Sequence, residues 1–152
     1  MDVNALIEGT LILLSHELKN EVTVDLQLED VPVVDGWPGP LGQVFLNLIL
    51  NAQQAIEGSG RITVFSGVEN GQVVVKVSDT GSGLPADCLD KVFSPGWTTK
   101  SEEEGTGLGL FISKRIVERH SGMIEAGNAE SGGAVFVVTL PPAVEGTPEA
   151  VS

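Results

Sequence analysis

Four side-chain amides, Gln43, Asn47, Asn51 and Gln54, recur through one stretch of the chain at spacings of four, four and three residues. At about 100° per residue they share a sector of roughly 80° on a helix. Leu41, Val44, Phe45, Leu48, Ala52, Ala55 and Ile56 fill the opposite side, and Leu46 and Leu50 flank the amides. A solvated helix face ordinarily carries Glu and Lys, and Asn is a weak interior helix former. Two Asn one turn apart can instead offer carbonyl oxygens to a hard cation and amide N–H groups to phosphate oxygens. Taken alone, the pattern fits a polar stripe on a half-buried helix equally well.

A second constellation ends a valine-rich run. Val73, Val74, Val75 and Val77 lead into Asp79-Thr80-Gly81-Ser82-Gly83. A strand ending this way sets a carboxylate at a sheet edge beside unhindered backbone. The carboxylate only accepts hydrogen bonds, so it suits an amino group such as adenine N6, and the glycines let the chain turn tightly against a ring. An acidic strand-end turn is a common alternative. Third, Gly105-Thr106-Gly107-Leu108-Gly109-Leu110 opens a helical stretch, and freed backbone N–H groups at a helix start attract anions. Lys100 stands five residues before Gly105 and can add a point charge to a phosphate. The spacing is neither a P-loop nor a dinucleotide fingerprint. Glu102, Glu103 and Glu104 sit beside the loop and are expected to face solvent.

Period and turn chemistry give the elements that must carry these groups. Residues 5–20 have helical spacing of leucines; 22–28 alternate as a strand; Asp35-Gly36-Trp37-Pro38-Gly39-Pro40 is turn chemistry. A helix over 41–56 comes next. Strands over 61–66 and 73–79 flank Asn70-Gly71, a hairpin turn. A glycine-rich stretch with one short helical piece near 87–93 precedes a helix over 107–120, stopped at Gly122. Strands over 123–127 and 134–140 close the order. This predicts an α+β domain over 1–141, a two-layer sandwich with a mixed sheet covered on one face by helices. Residues 142–152 are expected to be a loose tail.

Composition narrows the function. The chain has 152 residues, a formal charge of −13 and one cysteine, Cys88. At this length roughly 70% of the unfolded surface becomes buried, enough for one core. An acidic balance argues against nucleic acid and against an anionic membrane surface. A lone cysteine excludes a disulfide framework, and no apolar run is long enough to span a bilayer. With no signal peptide visible, the expected compartment is the cytoplasm, which leaves room for a membrane anchor elsewhere in a full-length protein.

Together the boxes resemble a known family. QVFLNLILNAQQAI at 43–56 is similar to the N box of bacterial sensor histidine kinases, and VSDTGSGLP at 77–85 to their first glycine box. VFSPGWTTK at 92–100 resembles the F box, GTGLGLFISKRIVERHSG at 105–122 the second glycine box, and AVFVVTLP at 134–141 the closing strand. Asn-Ala-x-Gln-Ala at 51–55 looks most like the nitrogen-regulatory type. The resemblance implies the ATP-binding sandwich shared by gyrase, certain chaperones, histidine kinases and mismatch-repair proteins.

It also implies roles. Asn51, helped by Asn47, would hold Mg²⁺ at the phosphates of ATP. Asp79 would bind the adenine amino group, with Gly81 and Gly83 shaping the pocket and Thr139 supporting the base through water. Gly105, Thr106, Gly107, Leu108 and Gly109 would contact phosphates through backbone amides, with Lys100 adding charge. Residues 85–106 would form a lid with Phe93 packed beneath it. Gly96-Trp97 departs from the usual F box, where a bulky residue is followed by Phe. Catalysis would then rest on Asn47, Asn51 and Lys100 through positioning and charge neutralisation.

The implied partners are a dimerisation domain carrying the acceptor histidine, and a response regulator downstream. An anti-sigma-factor serine kinase and a non-catalytic nucleotide module share the fold. The first of these carries Glu one turn before its Mg²⁺-binding Asn, where this chain has Asn47, and Thr98-Thr99-Lys100 also favours histidine kinases. His16, in Ser15-His16-Glu17-Leu18-Lys19-Asn20, resembles a phosphoacceptor box. It is expected to lie on the first helix instead, because the chain passes straight to a strand and the N box. His120 is expected to be a helix C-terminal residue favoured by the dipole.

Overall fold

A computed structural model describes residues 1–18, 21–95, 109–130 and 132–143. Three helices and five strands are found among them: α1 (Val3–Leu14), β1 (Val22–Leu28), α2 (Pro38–Ala55), β2 (Gly60–Glu69), β3 (Gln72–Asp79), α3 (Gly109–Arg119), β4 (Met123–Asn128) and β5 (Ala134–Leu140). A single 3-10 turn, Ala86–Cys88, stands where the sequence predicts a short helical piece.

The sheet runs in the order β1-β2-β3-β5-β4. β1 pairs parallel with β2, and every other neighbouring pair is antiparallel. The sheet is therefore mixed, as the element order predicts. Asn70 (φ 53°) and Gly71 (φ 77°) both take left-handed backbone, the combination a two-residue hairpin demands.

One face of the sheet is apolar by alternation. The register aligns Ile62 with Asp79, Val64 with Val77, and Val77 with Phe136. Ile62, Val64, Val75, Val77 and Val138 are all essentially buried. They pack against α2, whose Leu41, Val44, Phe45, Leu48 and Ile49 are sealed from solvent. Burying five such side chains contributes on the order of 10 kcal/mol before chain entropy is counted. α1 and α3 lie on either side of α2. A polar contact ties α1 down: Ser66 Oγ donates to Asn4 Oδ1 at 2.6 Å, and Asn4 Nδ2 donates to the Glu29 carbonyl at 2.7 Å.

Element ends differ from expectation for local reasons. α1 stops at Leu14, so His16 lies in the exposed turn beyond it and not on the helix. α2 begins three residues early because Pro38 and Pro40 fall in its first turn, where missing N–H groups cost nothing and a fixed φ favours the helix. At the end of α3, Ser121 (φ 59°) takes the left-handed position, not Gly122. Gly122 N–H reaches back to the Val117 carbonyl at 3.0 Å and Ser121 N–H to that of Glu118 at 3.0 Å, a Schellman closure. Gly122 is glycine for a different reason: a Cβ there would collide with the Thr139 carbonyl on β5. His120 directly follows the last residue of α3, and its ring has partners that a position at the helix end does not imply. Its ring is buried and bonded on both nitrogens. The chain stays attached past residue 141, since Ala143 N–H donates to the Val33 carbonyl at 2.8 Å.

Candidate functional site

Asp79 ends the core-facing row of β3 that Val73, Val75 and Val77 begin. Only 4% of its surface is exposed. A carboxylate aimed into the layer between sheet and helices is costly unless bonded. Its Oδ1 accepts the backbone N–H of Gly81 at 2.8 Å and of Ala134 at 3.3 Å. Burial pushes its pKa above the ordinary carboxylate value, and the two backbone bonds offset part of that rise.

Around this carboxylate the backbone is closely stacked. A side chain at Gly133 would overlap the Asp79 carbonyl, and one at Gly81 would overlap the Ala55 carbonyl at the end of α2. Ser82 N–H donates to that same Ala55 carbonyl at 3.3 Å. Gly83 (φ 78°) then turns the chain beside Gly132. Leu84 is held at both backbone groups by Asn128: its N–H donates to Asn128 Oδ1 at 2.7 Å, and Asn128 Nδ2 donates to its carbonyl at 2.8 Å. Phe93, expected beneath a lid, packs edge-on to Phe136 (6.2 Å between ring centres), with Lys114 Nζ 5.5 Å from its ring centre.

The amide stripe lies on α2 upstream of Ala55. Asn51 is half-buried, and Asn47 stands a turn further on, about 12 Å from Ala55 along the axis. Asn47 has a structural bond set. Its Nδ2 donates to Ser113 Oγ at 3.3 Å and makes a long contact to the Gly109 carbonyl at 3.5 Å, and its Oδ1 accepts from Gln43 Nε2 at 3.0 Å. Asn47 thus braces α2 against the first turn of α3, a duty its motif position does not imply. Ser113 is completely buried.

The structure therefore brings Asp79, Gly81, Gly83, Asn47, Asn51 and Gly109 to one side of the molecule along α2. Thr139 does not join them. It pairs with Val74 and Met123, at the opposite end of β5 from Ala134, about 16 Å from the Asp79 end. Ala134 takes the place beside Asp79. Lys100, Gly105, Thr106, Gly107 and Leu108 lie outside the described residues, as do Gly96 and Trp97. Sequence reasoning misses Gly133, Ala134, Asn128 and Ser113. The Gly132-Gly133 pair opening the last strand is the available clue for the first two.

Among the described residues no three His, Cys, Asp or Glu side chains converge as a metal cage. The oxygen donors that Asn47 and Asn51 offer on α2 are amides, which suits Mg²⁺ held by one or two protein groups with phosphates and water completing the shell. Charge is also unevenly distributed. Five of the eight Lys and Arg residues (Lys91, Lys100, Lys114, Arg115 and Arg119) fall between positions 91 and 119, in a chain of net charge −13.

A buried strand-end Asp, glycine-shaped backbone beside it and an asparagine stripe on the facing helix define a class of ATP-using domains. The family model "Histidine kinase-, DNA gyrase B-, and HSP90-like ATPase" matches residues 38–144, and the chain belongs to that family. Within it, the fold is that of histidine kinase catalytic domains. The catalytic domain of histidine kinase ThkA superposes with a TM-score of 0.84 at 31% identity, covering 94% of each chain. Sensor histidine kinase ZraS of Escherichia coli (strain K12) is 41% identical over 143 residues, 93% of this chain and 30% of its own length. Sporulation kinase E of Bacillus subtilis (strain 168) is 36% identical over 91% of this chain and 19% of its own. The chain thus spans less than a third of these curated relatives. No described helix is long and apolar enough to cross a membrane.

Proposed function

We propose that this chain binds Mg-ATP along α2, with adenine at Asp79 and the phosphates toward Asn47 and Gly109, and donates the γ-phosphoryl group to a histidine on a separate domain. The observation that carries this is Asp79 itself: a buried carboxylate at the end of an apolar row, beside backbone that glycine alone permits. Asp79 accepts from the adenine amino group, which fixes the base. Asn51, with Asn47, supplies amide oxygen to a divalent cation, whose charge offsets that of the phosphates. Lys100 and the amides of Gly105 to Gly109 complete the phosphate contacts. The acceptor imidazole attacks the γ-phosphorus; an N–P bond forms as the β–γ bridging P–O bond breaks, and ADP leaves. Such a transfer asks the protein for position and charge more than for covalent chemistry.

Supporting the partner assignment, ThkA has been solved in complex with its response regulator TrrA, and that kinase resembles this chain with a TM-score of 0.79 and 28% identity. Asn47 argues against the serine-kinase reading, because an amide cannot take up a proton as a base. The test is a phosphotransfer assay with the acceptor-histidine domain supplied as a separate polypeptide, alongside calorimetry with ATP. Magnesium-dependent ATP binding and labelled acceptor are expected. Absence of any ATP binding refutes the reading; ATP binding with no acceptor labelling leaves a nucleotide module.

A further inference from the structure

Helix α3 turns one polar side chain fully into the protein. Ser113 has no exposed surface, at a position one turn before the equally buried Val117, where the inward side of a helix ordinarily takes an apolar residue. A hydroxyl removed from water costs about 1–3 kcal/mol if it finds no partner. The Ser113 Oγ accepts from Asn47 Nδ2 at 3.3 Å, and the same Nδ2 stands 3.5 Å from the carbonyl of Gly109, a turn before Ser113. The bond therefore crosses from the middle of α2 to the first turn of α3, between residues 66 positions apart in sequence. At the other end of the amide, Oδ1 accepts from Gln43 Nε2 at 3.0 Å, and Gln43 is exposed.

We propose that Ser113 is a positioning residue for Asn47, holding the amide so that its oxygen and not its nitrogen is offered to the divalent cation. The inference rests on the function proposed above and deepens it. A primary amide has two ends of nearly equal size and opposite chemistry: the nitrogen only donates and the oxygen only accepts. An amide turned over would present N–H groups to a cation. At Asn47 the choice is made from the α3 side. The Gly109 carbonyl can only accept, so it disfavours the oxygen there, but at 3.5 Å it holds the nitrogen weakly. Ser113 adds the shorter bond, and its burial keeps water from competing for it. Gln43 uses one of the two lone pairs of Oδ1, which leaves the second for a metal ion. The same bond sets the spacing between this amide and Gly109, where α3 begins; a Cβ placed at Gly109 would lie 3.9 Å from the amide itself. One hydroxyl thus registers a cation ligand against the helix start that the functional reading turns toward the phosphates.

Ser113→Ala removes the hydroxyl and little else, since alanine fits the same space and favours a helix. Thermal melts and calorimetry on the full chain, with ADP in chelator and with ATP across a Mg²⁺ series, read the effect. The expected result is an unchanged melting temperature and unchanged metal-free ADP affinity, with the Mg²⁺ concentration at half-effect raised about fivefold, the equivalent of about 1 kcal/mol for one hydrogen bond. Ser113 acts through Asn47, so in an Asn47→Ala background Ser113→Ala should shift the Mg²⁺ midpoint no further. Ser113→Cys, with a weak sulfur acceptor in the same place, should give a smaller rise and keeps the test open if alanine loosens the fold. An unaltered midpoint in both Ser113 variants overturns the proposal. So does an equal shift in the parent and Asn47→Ala backgrounds, or a parallel loss of metal-free affinity; either makes Ser113 a packing residue only. Failure of the unsubstituted chain to bind ATP is a different result and refutes the functional reading instead.

Discussion

The backbone N–H of Trp37 donates to Nε2 of His120 at 3.0 Å across a sequence separation of 83 residues. The same imidazole meets the Ile116 carbonyl through Nδ1 at 2.8 Å, and its ring stands edge-on to the Trp37 indole at 5.3 Å. A carbonyl can only accept, so Nδ1 carries the proton and Nε2 is left to receive Trp37. One side chain at the end of α3 thereby caps the start of α2, which has no side-chain cap of its own.

Replacing that ring should be expensive. His120→Ala leaves the Trp37 N–H without its acceptor and opens a cavity under the indole, and a loss of about 2–4 kcal/mol is expected. Urea denaturation of the purified chain measures it. A midpoint equal to that of the parent chain would show that the bond contributes nothing.

Asp79→Asn should separate stability from recognition. Burial raises the Asp79 pKa in the folded chain, so the folded state holds its proton more tightly than the unfolded one. Its contribution to stability is then full below the unfolded pKa and is lost as pH rises through the folded pKa. At neutral pH the ionised group is a cost that Asn does not carry, while the amide oxygen can still accept from Gly81 and Ala134. The variant is expected to be at least as stable at pH 7, the difference closing toward pH 4. ATP affinity should drop about ten- to hundredfold, because a bond to a charged acceptor is worth about 1.5–3 kcal/mol. Melting curves across pH, paired with calorimetry, check both halves.

Gly133→Ala drives a methyl group into the Asp79 carbonyl. β3 and the start of β5 must then separate locally, at about 1–3 kcal/mol. Nucleotide binding is expected to fall more than global stability does, since the strain lands on Asp79, the proposed adenine contact. Titration with ADP beside a thermal melt distinguishes the two, and equal losses in both would place the damage in the sheet as a whole.

Ser121→Gly is expected to stabilise by about 0.5 kcal/mol. An L residue in left-handed backbone is strained by about 1–2 kcal/mol, and the greater freedom of glycine in the unfolded chain offsets part of the gain. A lower melting temperature in the variant would contradict this.

Period and turn chemistry explain why so much of the fold can be read from the chain. Val22 to Leu28 alternates and is a strand; Asn70-Gly71 is the hairpin; Leu41, Val44, Phe45 and Leu48 of α2 are buried, while Gln43, Asn47, Asn51 and Gln54 are half-buried or exposed. Where sequence and structure part, long-range contact decides. Gly122 reads as the stop of α3 because Gly usually is, yet its constraint comes from Thr139, seventeen positions on. Motif position puts Thr139 at the base, but the β3–β5 register carries it to the far end of the strand. His120 reads as a helix C-terminal residue favoured by the dipole because nothing near it in sequence predicts Trp37. Asn128 and Ser113 are ordinary polar residues in the sequence, and only packing gives them partners.

Because Asn128 grips both backbone groups of Leu84, the chain is pinned on the near side of Pro85. The turn that carries Gly81 and Gly83 is thus anchored at both ends, by the Asp79 carboxylate at Gly81 and by the last residue of the sheet's edge strand at Leu84.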